Sequence, residues 1–153
     1  PGYIKGYVPG IRENGGQYSH GASWLVDALV RLSEGARAAG DPDGEERHIA
    51  AAVRVWRKIS PLAHMAPEVI GRFGLPPHQQ PADIYFGYGC EGRGGWSWYT
   101  GAAARMLSAA YGILGLKMKK GGLQIPEALF ASKGPLQVSR LTYKGEEYEP
   151  GKR

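Results

Sequence analysis

Residues 19–35, SHGASWLVDALVRLSEG, are the stretch that decides the fold class of this chain. Its apolar side chains recur at spacings of three and four residues, which is the period of one face of an α-helix. The positions concerned are Trp24, Leu25, Ala28, Leu29 and Leu32. Ser19 stands where a hydroxyl can cap the first turn, and Gly35 where helices commonly end. The stretch predicts an amphipathic helix in a mainly α protein.

Similar patterns recur downstream. A polar turn at 40–44 leads into a second helical pattern over 45–60, which ends before Pro61. A shorter helix is predicted over 66–73, and a third strong pattern, with Thr100 as its cap, runs to Gly115. The alternation of loop, capped helix and return helix predicts stacked helical hairpins.

The hydrophobic period changes after residue 120. Residues 123–125 and 136–143 alternate or carry β-branched side chains, and a Lys-Gly turn leads into 146–148. These segments predict short β-strands. We therefore divide the chain into a helical part, 1–118, and a β segment, 119–153.

Composition fits one ordinary domain, because 153 residues with 42% hydrophobic content suffice for a core. The net charge of +5 is concentrated near the C-terminus, since residues 1–116 hold 11 Lys or Arg against 10 Asp or Glu. The glycine-rich segments described below therefore lie outside any basic stripe of the kind that nucleic acids require. Nucleic-acid binding is disfavoured.

Location and cofactors follow from what the sequence lacks. The single cysteine, Cys90, permits no disulfide within the chain and no cysteine-based zinc site, which favours a reducing, cytoplasmic compartment. There is neither a signal-peptide pattern nor a membrane-length apolar run. Metal-binding and nucleotide-binding motifs are missing too, so we expect no metal and no cofactor. The chain begins at Pro1, without methionine, and we expect it to be cut from a longer protein.

Two glycine-rich clusters precede predicted helices: residues 10–20, GIRENGGQYSH, and residues 92–101, GRGGWSWYTG. Both end at a helix start, where free backbone N–H groups and the positive end of the helix dipole favour an anion. His20 lies in the first turn of one helix, and Thr100-Gly101 open the other. Spacing alone leaves open whether the two starts meet.

The second cluster also suggests a sugar, because aromatic rings beside planar polar groups suit a pyranose. Trp96, Trp98 and Tyr99 can stack on sugar faces. The alternative is ordinary packing, and we expect at least one of the two tryptophans to be part of a core.

Three carboxylates lie nearest the clusters: Glu13, Asp83 and Glu91. Any of them can serve in acid–base chemistry or bind sugar hydroxyls. In the alternative interpretation they simply pair with Arg12 and Arg93.

The clusters resemble segments of the glycoside hydrolase family 94 phosphorylases. The resemblance rests on residues 6–20 (GYVPGIRENGGQYSH), 92–101 and 112–116 (GILGL), and it covers about residues 1–116 in order. It is strongest to the phosphorylase-like domain of cyclic β-1,2-glucan synthases. It implies the C-terminal part of a six-hairpin (α/α)6 barrel, followed by the start of a β-sandwich.

Members of this family cleave a β-glucosidic bond by inverting attack of inorganic phosphate on the anomeric carbon, which yields a sugar 1-phosphate. The phosphate-binding residues implied by the resemblance are His20, Thr100 and Gly101. Sugar binding is implied for Arg12 and, more weakly, for Glu13 and Gln17, while the ring argument adds Trp96 and Trp98. Phosphate would be a co-substrate, and the partners would be a β-linked glucosaccharide and the remainder of the barrel, from the same polypeptide or a second chain.

Two departures from the family matter. Its general-acid aspartate lies upstream of the first motif, so this chain contains no catalytic residue and we expect no turnover by the chain alone. The loop 76–89 also differs where phosphorylases present a sugar-contacting glutamine, and neither Gln79 nor Gln80 aligns with it. A non-catalytic carbohydrate-binding module, a hydrolase on the same barrel and a purely structural helical domain remain alternatives.

Overall fold

A computed structural model describes residues 2–87, 89–126, 129 and 138–149. Its helices are α1 (Ser19–Ala38), α2 (Pro42–Ile59), α3 (Pro67–Phe73) and α4 (Thr100–Ile113), with 3-10 helices at Gly2–Gly6 and Pro61–His64. Its strands are β1 (Gln17–Tyr18), β2 (Asp83–Ile84), β3 (Gly94–Gly95), β4 (Lys117–Lys119), β5 (Gly122–Gln124), β6 (Leu141–Tyr143) and β7 (Glu146–Tyr148). The prediction of a mainly α chain with short C-terminal strands is confirmed.

Helices α1 and α2 form a hairpin joined by residues 39–41 only. The Asp41 carboxylate caps α2 by accepting a hydrogen bond from the Gly44 N–H at 2.9 Å. Pro42 occupies the first helical position, where its missing N–H costs nothing. Helix α2 therefore begins inside the segment predicted as a polar turn, because Asp-Pro there is a helix start rather than a turn.

The core lies where α4 packs against this hairpin. The buried side chains that form it are Val26, Val30, Ala52, Val53, Ala109 and Ile113. Trp56 closes one side and donates its indole N–H to the Met106 carbonyl oxygen at 3.2 Å. The apolar stripe that predicted α1 lies largely outside this core, since Trp24, Leu25 and Leu32 are 61%, 51% and 54% exposed. Helix α1 thus has two apolar faces, of which only the one that packs against α2 and α4 is buried.

A three-stranded antiparallel sheet, in the order β1-β2-β3, connects segments that are far apart in the sequence. Asp83 on the central strand faces Tyr18 on one side and Gly95 on the other. Gly94 lies in close packing, because a Cβ there would lie 2.6 Å from the end of the Leu75 side chain, which would have to move. This sheet holds the two glycine-rich clusters next to each other.

The C-terminal strands form two separate hairpins, β4-β5 and β6-β7. The predicted strand over 136–143 is shorter than expected, because only Leu141–Tyr143 is a strand and residues 136–137 lie outside the described part of the chain. Strand β4 crosses the boundary proposed between residues 118 and 119, and the domain division itself stays a prediction. Within the described residues, no helix combines the length and apolar character needed to cross a membrane.

Candidate functional site

The starts of α1 and α4 meet. The His20 imidazole lies against the backbone of Gly101, where an added Cβ would be 3.4 Å from His20 Nδ1. Tyr18 and Tyr99, each directly before one of the two helices, approach each other until their hydroxyl oxygens are 3.2 Å apart. The hydrogen bond with Tyr99, together with partial burial, raises the pKa of Tyr18. Two helix starts that are distant in the sequence thus share one surface.

The predicted caps are wrong by one position. Ser19 and Thr100 are the first helical residues, so Tyr18 and Tyr99 occupy the capping positions and neither makes a side-chain capping hydrogen bond. The physical reason is that pairing outside the helices fixes both tyrosines: Tyr18 is part of β1, and the Tyr99 N–H donates to the Gln80 carbonyl oxygen at 3.0 Å. The first turn of α4 therefore has no side-chain cap competing with an external anion.

Aromatic rings surround the half-buried His20 imidazole. Tyr18 stacks on it with ring centroids 6.2 Å apart and planes 19° apart, and Trp24 meets it edge-on at 5.3 Å. Tyr99 lies 6.5 Å away at a tilt of 60°. These contacts restrict the imidazole, while Thr100 and Gly101 beside it are exposed. The His20 imidazole is thus held beside the N-terminus of α4.

A second group of side chains comprises Arg12, Asp83 and Trp96. The Arg12 guanidinium carbon lies 3.9 Å from the centroid of the Trp96 ring. Its Nη1 is 3.5 Å from Asp83 Oδ1, and the Arg12 backbone N–H donates to Asp83 Oδ2 at 2.8 Å. Burial raises the pKa of Asp83, although the hydrogen bond and the charge of Arg12 oppose the shift. Since Asp83 pairs across the sheet with Tyr18, this group adjoins the helix starts.

Both tryptophans of the second cluster are exposed and have unusual backbone conformations. Trp96 and Trp98 have φ values of 53° and 64°, in the left-handed region that side chains other than glycine rarely adopt. Their exposed fractions are 63% and 64%, so the expectation that at least one packs in a core is wrong for the described structure. Trp98 contacts His78, with ring centroids 5.5 Å apart. Both rings are therefore available to a ligand.

The other predicted residues fall into different surroundings. One N–H of the Gln17 side-chain amide donates to the Lys58 carbonyl oxygen at 2.9 Å. Glu13 is exposed on the loop beside Arg12. Glu91 lines a separate groove together with Arg72 and Arg93.

The two glutamines considered in the loop 76–89, Gln79 and Gln80, differ in burial. Gln80 is buried and donates to the Ile59 carbonyl oxygen at 3.0 Å, which gives it a structural role, while Gln79 is half-buried. The residue that sequence reasoning missed is Tyr18. Its position directly before a helix matches that of Tyr99, but only the tertiary structure shows that the two hydroxyls meet.

Comparison with known proteins identifies the family of the chain. The family model described as "Glycosyl hydrolase 94 superfamily, catalytic domain" matches residues 1–115. Cyclic beta-(1,2)-glucan synthase NdvB of Rhizobium meliloti (strain 1021) is 39% identical over 147 residues, which are 95% of this chain and 5% of that protein. The chain thus spans about 5% of the length of this relative. Together with the mainly α architecture, these matches show that the chain belongs to the glycosyl hydrolase 94 superfamily, with residues 1–115 matching part of its catalytic domain.

Proposed function

We propose that this chain supplies the phosphate-binding and part of the sugar-binding surface of a β-glucan phosphorylase or cyclic-glucan synthase domain. The observation that carries the proposal is the meeting of the α1 and α4 starts at His20 and Gly101. In the proposed reaction a phosphate oxygen forms a bond to the anomeric carbon as the glycosidic C–O bond breaks. The leaving oxygen takes its proton from a general acid, for which the family resemblance implies an aspartate upstream of the first motif.

Phosphate binding is supported by the chemistry of the two helix starts. The positive end of the α4 dipole and its uncapped first turn favour an anion. The exposed Thr100 hydroxyl can donate to a phosphate oxygen, and Gly101 leaves room for the anion to approach the backbone. His20 would supply a further donor from the side. These groups would orient the nucleophile and offset its repulsion from the electron-rich substrate.

Sugar binding is supported by the exposed rings of Trp96 and Trp98. Arg12 and Glu13 lie on the adjacent loop, where they can reach sugar hydroxyls. Gln17 is a weaker candidate, because one N–H of its side-chain amide already donates to the Lys58 carbonyl oxygen, which restricts where the remaining N–H and the carbonyl oxygen can reach. The ligand we propose is a β-linked glucosaccharide.

We also propose that more protein completes the barrel, either the remainder of the same polypeptide or a second chain. The apolar side chains of α1 and α4 that remain exposed support this proposal, and they include Trp24, Leu25, Leu32, Leu107 and Tyr111. Such a set on two neighbouring helices is typical of a surface that another element covers. A cytoplasmic location stays a prediction from the single cysteine.

Calorimetric titration tests the phosphate site. Inorganic phosphate and a β-1,2-linked glucose trisaccharide are titrated separately and together into the wild type, His20→Ala and the control His48→Ala. We expect His20→Ala to weaken phosphate binding about tenfold, the size of one lost charge-assisted hydrogen bond, and His48→Ala on α2 to leave it unchanged.

This titration, together with an analysis of the products released by the complete enzyme, separates the alternatives. Trisaccharide binding that is indifferent to phosphate and to His20→Ala would favour a carbohydrate-binding module. Release of free glucose instead of glucose 1-phosphate by the complete enzyme would favour a hydrolase. If neither ligand binds, a structural role replaces the proposal.

A further inference from the structure

We infer that Asp83 and Arg12 are positioning residues that hold the Trp96 ring as a one-sided stacking platform for a sugar. The inference rests on the proposed function, because it concerns the same sugar site. It assigns Asp83 a role other than acid–base chemistry. It also assigns Arg12 a second role, which is to support the Trp96 ring on the face away from the sugar.

Asp83 is the residue of this group that is anchored in the sheet. It lies on the central strand of the three-stranded sheet and is 1% exposed. One carboxylate oxygen accepts the Arg12 backbone N–H at 2.8 Å, and the other lies 3.5 Å from the Arg12 guanidinium. Asp83 thus holds both the backbone of Arg12, whose φ is 54°, and its side chain.

The absence of a side chain at Gly16 allows this loop to approach Asp83 closely. A Cβ on Gly16 would lie 2.7 Å from Asp83 Oδ2 and 2.8 Å from the Arg12 backbone nitrogen. Real Cβ atoms do not approach that closely, so only glycine allows the Arg12 loop to lie this near Asp83. The contacts between Arg12 and Asp83 therefore depend on a glycine at position 16.

Arg12 in turn defines the position of Trp96. Its guanidinium covers one face of the indole at 3.9 Å from the centroid, a cation–π contact. The side chain of Arg12 is only 15% exposed, whereas Trp96 is 63% exposed. One face of the ring is thus occupied and the other is open. A ring with one open face can stack on one pyranose.

The energetics of the pair favour a positioning role over a stabilising one. Arg12 Nε and Asp83 Oδ1 are buried and have no hydrogen-bond partner within the described residues. The free-energy cost of removing two charges from water can exceed the attraction across a long ion pair, so a buried pair of this kind is weak evidence of stabilisation. The fixed geometry of Trp96 is what the pair provides.

The experiment compares the wild type with Asp83→Asn, Arg12→Lys and Trp96→Ala, using two measurements. Near-UV circular dichroism, taken as a difference from Trp96→Ala, reports the order of the Trp96 ring without any ligand. Fluorescence titration with a β-1,2-linked glucose trisaccharide reports affinity. The matched control is Asp27→Asn, which removes a carboxylate paired with Arg105 between α1 and α4.

We expect Asp83→Asn to remove most of the Trp96 dichroic signal and to weaken trisaccharide binding about tenfold, within the range of a desolvated cation–π contact. Arg12→Lys keeps the charge but loses the flat guanidinium, so it should give a smaller loss of both. In a Trp96→Ala background, Asp83→Asn should cause no further loss of affinity. Asp27→Asn should change neither measurement.

Two results would overturn the inference: an unchanged Trp96 signal in Asp83→Asn, or a further loss of affinity in the Trp96→Ala background. Arg12→Lys, the milder change, decides the question if Asp83→Asn does not fold. If the wild type does not bind the trisaccharide, the proposed sugar site fails, and the sugar role of Trp96 fails with it. The dichroic signal then still shows whether Asp83 orders the ring, so the two failures are distinguishable.

Discussion

The helical layer and the glycine-rich sheet of this chain are specified in different ways. The layer of α1, α2 and α4 depends on apolar side chains that repeat along each helix. The sheet depends on contacts between distant residues, such as Arg12 with Asp83, 71 positions apart. The helical layer should therefore tolerate small substitutions that keep its apolar pattern. In the glycine-rich region around the sheet, the addition of a single methyl group should be strongly destabilising. Helices build the scaffold, and the sheet fixes the geometry of the site.

The largest effect should come from Gly10→Ala in the glycine-rich region. Gly10 has φ 86°, and a Cβ there would collide with the backbone of Gly87. We expect a loss of unfolding free energy of about 3 kcal/mol, because backbone strain and a backbone clash combine. Urea denaturation measures it.

Gly35→Ala in α1 is the matched control for this change. A Cβ on Gly35 meets nothing within 4 Å, and its helical backbone suits alanine. It should stabilise the protein by up to about 1 kcal/mol. Equal losses from Gly10→Ala and Gly35→Ala would contradict the contrast between the two regions.

Val53→Ala tests the helical layer itself. Val53 is 3% exposed in the core, and its truncation should cost about 2 kcal/mol through lost burial and a small cavity. Because the change lies in the scaffold, the near-UV signal of Trp96 and the phosphate affinity should stay at wild-type values. A change in either would mean that the scaffold and the site are not separable.

A smaller effect should appear in the pH dependence of stability. Burial raises the pKa of Asp83 above its ordinary value of 3.8, so the folded state binds this proton more tightly than the unfolded state. Relative to Asp83→Asn, the wild type should therefore gain stability as the pH falls through the raised pKa toward 3.8. Urea denaturation of both proteins between neutral and acidic pH measures the difference. A relative loss on acidification would show that the Arg12 interaction outweighs burial.

Local pattern was enough to predict much of the fold. The period of Trp24, Leu25 and Leu32 predicted α1, and that of Met106 and Ile113 predicted α4. The local pattern did not predict the helix starts correctly, because Tyr18 and Tyr99 are held by hydrogen bonds to residues distant in the sequence. It also did not show that the stripe on α1 is exposed, since burial depends on which neighbours are present.

The candidate site was predicted only in its parts. His20, Thr100 and Gly101 were identified from helix starts and from family resemblance, but their meeting is a tertiary fact. Nothing in the sequence favours Asp83 over the other two candidate carboxylates. Only its contacts with Arg12 in the structure distinguish it. Contacts between side chains on different strands of a sheet produce no periodic pattern in the sequence.

The most direct test of the central claim is a titration of the isotope-labelled protein with inorganic phosphate, followed by amide NMR. If the starts of α1 and α4 form one anion site, the backbone N–H signals of Thr100 and Gly101 and the ring signals of His20 should shift together, with one dissociation constant. Shifts confined to the basic segment at residues 117–120, or separate constants for His20 and Gly101, would contradict the account.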